Sequence, residues 1–321
     1  MKPEISVVIP TRNRWPLLRR ALGGVFAQRG VALEVLVVDD GSSDGSAERA
    51  ESITDPRLKV LRQDRAGVAA ARNRGIESAA AAWVALLDDD DLWAPDKCRL
   101  QLATLAERRA EVAFSSQVVV DEALRAKRVL QAPDPERLLT ELLGSNVIGT
   151  PSSVMASREA LLSAGGFDDR FSVLADWDMW LRLCAGRPAA ARTETLVAYV
   201  EHDANLHLLD TDSVMREFGL LRRRHRALEK ELGESMGDIN WWRWIASSYR
   251  RAGRRNKASR AYLQTGLRFG SGRDLARSAA VLGGERVMKR LAGSAPPALE
   301  SRKWQWLERA GRFAPPEEGD L

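Results

Sequence analysis

Short apolar runs alternate with amphipathic segments through the first 120 residues, and this alternation limits the chain to one class of fold. Ile5–Ile9, Leu33–Asp39, Leu58–Leu61, Trp83–Asp88 and Val112–Val120 read as strands, with Trp15–Gln28, Asp44–Ser52, Gly67–Ala82 and Pro95–Arg109 as the helices between them. Runs that are mostly apolar without regular alternation belong to strands covered on both faces. The expectation is therefore an α/β fold: a Rossmann-like mixed, mainly parallel sheet flanked by helices. Pro95 suits the first turn of its helix, where a missing N–H leaves no bond unmade.

The middle of the chain is less regular. Pro133–Leu143, Arg158–Ala164 and Leu174–Cys184 read as helices, and Ser152–Ala156 and Thr195–Val200 as strands. From Thr211 onward only helical patterns remain, rich in Arg and Trp, so the predicted domains are 1–210 and a C-terminal all-helical region, 211–321. Charge changes at the same place. Residues 1–210 hold 26 Lys and Arg against 31 Asp and Glu, a net of −5, while 211–321 hold 23 against 13, a net of +10. A basic, Phe- and Leu-bearing segment such as Met215–Arg226, or Trp304 and Trp306 beside Arg302 and Lys303, suits peripheral docking on an anionic membrane; a solvated helical bundle explains the same composition. Trp241, Trp242, Ala246, Tyr249, Gly253, Ala258 and Tyr262 have the spacing of one tetratricopeptide-type hairpin, which plain bundle packing also produces. Cys98 and Cys184 stand far apart with no CxxC spacing and read as small core residues. No apolar run approaches the roughly 18 residues of a spanning helix, and Met1-Lys2-Pro3-Glu4 leads straight into a strand; a cytoplasmic location is expected.

The run Trp83–Leu87 ends in four consecutive carboxylates, Asp88 to Asp91. Adjacent carboxylates repel unless positive charge lies among them. An isolated acidic turn would simply be solvated, but ligands of α/β sheets bind at the carboxyl ends of strands. A divalent cation, Mn²⁺ or Mg²⁺, fits such oxygen ligands and commonly holds a phosphate-bearing substrate against one or two of them. Two further strand ends should lie on the same edge: Ile9-Pro10-Thr11, and Val38-Asp39-Asp40-Gly41-Ser42, where a carboxylate can accept hydrogen bonds from a base or a ribose. Neither GxGxxG nor a Walker A sequence occurs, and nucleic acid is not an expected partner.

Together these segments resemble the family 2 glycosyltransferases of the GT-A fold. The resemblance runs over roughly residues 4–205 and rests on Ser6–Thr11, Val38-Asp39-Asp40-Gly41-Ser42, Ala71-Arg72-Asn73-Arg74-Gly75, the Asp88–Asp91 strand end with the Trp-x-Pro start behind it, and Gly165-Gly166-Phe167-Asp168 ahead of a Glu-Asp-x5-Arg segment. It implies that Asp40 contacts the nucleotide base, with Pro10 and Thr11 lining that pocket. Asp88 and Asp89 would hold the ribose and diphosphate, Asp90 would bind the metal with help from Asp88 and from His202 after the last strand, and Arg65 and Arg72 would meet donor phosphates or pair with the aspartates. Asp176 matches the family's catalytic base, with Asp178 the next carboxylate on its helix. One departure stands out: Ala175 replaces the motif's Glu. Trp177 and Trp180 on the same helix are candidates for sugar stacking or for core packing.

The function implied is an inverting transfer of sugar from a nucleotide-diphosphate donor to the hydroxyl of a glycan, lipid-linked glycan or peptide acceptor, in cell-envelope polysaccharide synthesis. A nucleotidyltransferase would share the nucleotide half and the acidic site but needs no base on the Asp176 helix. A non-catalytic sugar-nucleotide or partner-binding module needs no intact acidic motif.

Overall fold

The computed structural model describes residues 2–202, 210–284, 287–288 and 304–310. Strands are β1 (Ile5–Thr11), β2 (Leu33–Asp40), β3 (Leu58–Gln63), β4 (Trp83–Leu86), β5 (Leu92–Trp93), β6 (Val112–Asp121), β7 (Ala126–Leu130), β8 (Val154–Ser157) and β9 (Ala189–Glu201). Helices α1 (Trp15–Phe26), α2 (Ser46–Glu51), α3 (Val68–Ser78), α4 (Lys97–Arg108), α5 (Leu138–Gly144), α6 (Arg158–Ser163) and α7 (Ala175–Cys184) lie among and after them. Two compact units result: Met1–Leu139, Val147–Glu201 and Leu299–Leu321 form one, Thr140–Asn146 and His202–Ala298 the other.

The first unit holds a single mixed sheet in the order β3-β2-β1-β4-β8-β6-β9-β5, with β7 paired to β6. Its first half is parallel, β1 lying between β2 and β4 so that Val7 faces Val35 on one side and Ala85 on the other. Both faces of β1 are covered, which is why its sequence does not alternate. Ile5, Val7 and Ile9 join Leu18, Leu22 and Val25 of α1 in one buried cluster, while Val8 meets α3 so closely that a Cβ on Gly75 would lie 2.3 Å from Val8 Cγ1.

Beyond β4 the parallel series stops. β8 enters antiparallel, Met155 pairing with Ala85 on one side and Ala113 of β6 on the other. The apolar pattern marks these strands but does not reveal which one lies beside β4. β6 and β9 run parallel with register shifts at Ser115–Gln117, and the two-residue β5 closes the far edge, Leu92 against Ala198. β5 and β7 are too short or too polar to announce themselves. Helix α4 begins at Lys97 after Asp96, so Pro95 stands just ahead of the first turn. A last helix, Gln305–Ala310, follows Trp304, which is 8% exposed and packs with Leu307 against Val118, Val120 and Val200 of the sheet.

The second unit contains α8 (Thr211–Arg224), α9 (Arg226–Leu232), α10 (Ile239–Arg251), α11 (Arg255–Phe269) and α12 (Gly272–Leu282). Phe218 stacks on Trp241 at 4.7 Å between ring centroids, and Leu221 is fully buried. Phe218 and Leu221, apolar side chains of the basic helix, are thus inside the bundle, while Met215 and Leu220 are half-buried, and Trp304 is inside the sheet unit. Trp241, Ala246, Tyr249, Ala258 and Tyr262 are buried along the α10–α11 hairpin, which turns at Gly253 with φ +71°. Asp212 ties α8 to that hairpin through Tyr249 Oη at 2.7 Å, Lys257 Nζ at 2.7 Å and Arg254.

Candidate active site

Three strand ends meet on the carboxyl edge of the parallel half. Thr11 closes β1 opposite Asp39 of β2, and a bond of 3.0 Å from Leu87 N to Val8 O extends the β4 ladder to the foot of the aspartate turn. Within that turn each carboxylate has its own partners. Thr11 Oγ1 donates to Asp89 Oδ2 at 2.8 Å, and Arg14, the residue before α1, reaches Asp89 at 3.2 Å and Asp90 at 3.0 Å. Arg72 of α3 donates to Asp88 at 2.5 Å. Asp91 is fully buried; Thr150 Oγ1 donates to it at 2.7 Å and Val200 N of β9 at 3.2 Å. It works as a strut between the turn and the far half of the sheet.

Burial and the negative charge of Asp90 push Asp89 up to about 7, and burial with Asp90 and Asp88 pushes Asp91 well above the usual carboxylate range. Burial is the larger cause in both, and it disfavours the charged form of each. Asp88 and Asp90 keep side-chain exposures of 24% and 11%, so they are the pair open to a ligand.

At the second strand end, Asp40 accepts from Gln63 Nε2 at 2.8 Å, Ala66 N at 2.7 Å and Gly67 N at 2.9 Å. Burial works to raise its carboxyl, but these bonds and the nearby Arg12 outweigh it and hold the group below the usual range. Both oxygens of Asp40, the residue expected at the base, thus pin the β3–α3 loop. Asp39 differs: its Oδ2 accepts from Ser42 N at 3.0 Å, while its buried Oδ1 has no hydrogen-bond partner among the described residues. Asn13, in the left-handed region at φ +53°, joins the first two strand-end loops by bonds to Ser42 Oγ at 2.9 Å and from Ser43 N at 2.7 Å. Pro10 and Thr11 are buried beside this junction. Arg65 is exposed on the loop that Asp40 pins.

The Ala-Arg-Asn-x-Gly helix links the strand ends to α7. Asn73 pairs with the backbone of Phe167 on both sides, Nδ2 to O at 2.8 Å and N to Oδ1 at 2.7 Å. Gly166 permits that pairing, since it has φ +67° and its Cβ would stand 2.5 Å from Asn73 Oδ1. The Phe167 ring lies 5.1 Å from Arg72 Cζ and meets Trp180 edge-on at 6.0 Å. Asp176 stands in the first turn of α7, partly exposed. Burial raises its carboxyl to about 6; Arg72 and the amide of Trp177 pull it down, and Asp88 pushes it up. Trp177 and Trp180 are 1% and 0% exposed, so both pack the core and neither can stack a sugar. Asp178 is fully buried against Arg182 at 2.8 Å, and Arg182 in turn donates to Gly166 O at 2.8 Å and to Ala164 O. Asp178 is a structural anchor for the Gly-Gly-Phe turn, not a second base.

His202 follows β9 directly and opens the second compact unit. Among the described residues no three His, Cys, Asp or Glu side chains form a self-contained metal site. A cation shared with a diphosphate needs only one or two protein carboxylates. Asp88 and Asp90, hard oxygen donors in an over-acidic turn, fit that requirement. Arg14 and Thr150 complete the site and belong to none of the motifs, whereas Arg182 is the Arg that ends the Glu-Asp-x5-Arg pattern.

Residues 6–169 match the family described as Glycosyl transferase family 2, just over half of the chain. The chain belongs to that family. Among curated family 2-like relatives, the succinoglycan biosynthesis protein ExoO of Rhizobium meliloti is 33% identical over 46% of this chain and 43% of its own. The putative teichuronic acid biosynthesis glycosyltransferase TuaG of Bacillus subtilis is 30% identical over 49% of this chain and 64% of its own. The chain spans less than two thirds of the length of these relatives. Two solved structures share the fold. S. aureus TarS 1–349 in complex with UDP-GlcNAc superposes with a TM-score of 0.56 at 16% identity over 97% of this chain and 88% of that one. The mannosyltransferase PcManGT from Pyrobaculum calidifontis, in complex with GDP-Man and Mn²⁺, gives 0.53 at 20% identity over 98% and 86%. The family 2 pattern thus lies on the residues that build the strand-end site and its link to α7.

Proposed function

We propose that this family 2 protein is an inverting glycosyltransferase that moves a sugar from a nucleoside diphosphate donor to an acceptor hydroxyl of an envelope glycan. The observation that carries the reading is the link between the strand ends and the helix of Asp176: Arg72 pairs with Asp88 at 2.5 Å and lies over the Phe167 ring, Asn73 holds the Phe167 backbone, and that ring meets Trp180 of α7. A base and a diphosphate-binding edge must share one cleft for a single displacement, and a nucleotidyltransferase would have no use for this base.

In this reading Asp39, whose buried Oδ1 lacks a partner among the described residues, receives the nucleotide base together with Pro10, Thr11 and Asp40. Arg72 is the natural partner of the donor phosphates, with exposed Arg65 at the rim. Asp90 and Asp88 would hold Mn²⁺ or Mg²⁺, which supplies charge neutralisation for the departing diphosphate. Asp176 accepts the proton of the acceptor hydroxyl as its oxygen attacks the anomeric carbon, and inversion follows because no covalent intermediate forms. A carboxyl near 6 is well suited to this, being ionised at neutral pH yet more basic than an ordinary aspartate. The donors named for the two solved neighbours, UDP-GlcNAc and GDP-Man, and the envelope polymers named for ExoO and TuaG, support a nucleotide sugar and a polysaccharide acceptor.

Incubation with a panel of UDP-, GDP-, dTDP- and CDP-sugars, Mn²⁺ and envelope glycan fractions, read by mass spectrometry, tests this. Free nucleoside diphosphate together with a glycosylated product, both lost in Asp176→Asn, is expected. Pyrophosphate release, or turnover that survives the substitution, would overturn it.

A further inference from the structure

The helical unit contains a cavity of about 380 Å³, lined by residues of α10, α11 and α12. Arg243, Arg250 and Arg251 of α10 and Arg277 of α12 line it, together with Trp244 and Tyr262, and no Asp or Glu is in its lining among the described residues. Behind it Asp274, with a fully buried side chain, receives Arg243 at 2.8 Å and Arg277 at 2.9 Å. One carboxylate thus meets two guanidiniums, fixing both planes while leaving net positive charge. Ser271 Oγ takes a second bond from Arg243 at 3.3 Å, and Tyr262 Oη is held by Ser247 Oγ at 2.9 Å.

Guanidiniums fixed before a ligand arrives present paired N–H donors that match the oxygens of a phosphate, and they lose little freedom when it binds. The cavity lies within the usual size range of small-molecule sites and has aromatic walls and a hydroxyl beside the arginines, features that suit the carbon skeleton bearing the phosphate. It is concave, which favours a discrete ligand over the flat face of a bilayer. We infer that this pocket binds the phosphate group of a phosphorylated sugar, free or within a glycan chain, and that it does so independently of the chemistry of the first unit.

Calorimetric titration of the full chain with glucose 1-phosphate, inorganic phosphate, glucose and phosphatidylglycerol vesicles tests the inference. Saturable binding of glucose 1-phosphate and inorganic phosphate is expected, weakened by added salt, with none for glucose. Arg251→Gln and Arg277→Gln should each weaken it at least tenfold, the loss of about one charge-assisted contact. Arg251 is exposed at the end of its helix, so its substitution leaves the fold intact and decides the matter even if Arg277→Gln unfolds the unit. Affinity unchanged in Arg251→Gln, equal binding of glucose, or binding confined to the vesicles would each overturn the proposal.

Discussion

Replacing the proposed base should make the protein more stable as well as inactive. Asp176 has its carboxyl raised from 3.8 to about 6, chiefly by burial. Ionising it in the folded state therefore costs about 1.36 kcal/mol for each pH unit between those values, about 3 kcal/mol at most. The sign follows from linkage. The folded protein binds this proton more tightly than the unfolded chain, so the penalty is complete above about pH 6, shrinks as pH falls, and is gone below about 4. Asp176→Asn removes the charge and keeps an oxygen able to accept the Trp177 amide, 2.7 Å away. Part of the penalty is relieved by solvent at this partly exposed position, so about 2 kcal/mol is the realistic gain. At about 2–4 °C per kcal/mol for a unit of this size, Tm should rise by roughly 4–8 °C at pH 7.5 and by nothing at pH 4. Transfer should fall by about two to four orders of magnitude. Scanning calorimetry of both proteins at the two pH values, beside a transfer assay, measures all of this. An Asn variant that melts at or below the native protein at pH 7.5, or a gain that persists at pH 4, would refute the burial argument; activity above a tenth of native would refute the base.

In the native protein, the kcat/KM of the proposed transfer should drop about tenfold per pH unit below about 6, and a flat acid limb in a pH-rate series would move the base elsewhere. Asp90→Asn should leave the fold intact while abolishing the effect of Mn²⁺ on nucleoside diphosphate affinity; equal affinity with and without Mn²⁺ in the native protein would remove the metal. Asp178→Asn should destabilise by about 3–5 kcal/mol in urea melts, because Arg182 loses its buried partner, which an exposed surface pair would not do. Gly75→Ala should cost about 1–3 kcal/mol through its clash with Val8, and Val8→Ala in the same chain should offset part of that loss where independent sites would simply add.

The parallel half of the sheet was legible because β1 and β2 are buried on both faces, and double-sided burial writes itself as a mostly apolar run that does not alternate. The antiparallel half was not. β8, at Val154–Ser157, was expected as a strand over Ser152–Ala156, but its antiparallel place between β4 and β6 depends on which apolar faces match in space, information that no local window contains. The same limit hid the fate of the tail aromatics. Phe218 among arginines looks like a membrane-facing residue until Trp241, far along the chain, is found stacked on it. The aspartate turn was legible as a charge problem, yet its solution lay in Arg14 and Thr150, whose side chains carry no motif of their own.

What the motifs do encode is the distance between the strand ends and α7. Three positions of α3 face three different partners: Arg72 takes Asp88, Asn73 takes the Phe167 backbone, and Gly75 lets the helix press against Val8. From Phe167 the chain of contacts continues through Gly166 to Arg182 and Asp178 on α7. A general base acts only within hydrogen-bond reach of its proton, so the proposed base, carried on a separate helix, needs such a rigid link to the strand ends. The Ala-Arg-Asn-x-Gly, Gly-Gly-Phe and terminal Arg elements are widely separated in sequence because each supplies one joint of that link. Ala175 can stand where the family pattern has Glu for the same reason: the joints run through Asn73, Gly166 and Arg182, and none of them passes through position 175.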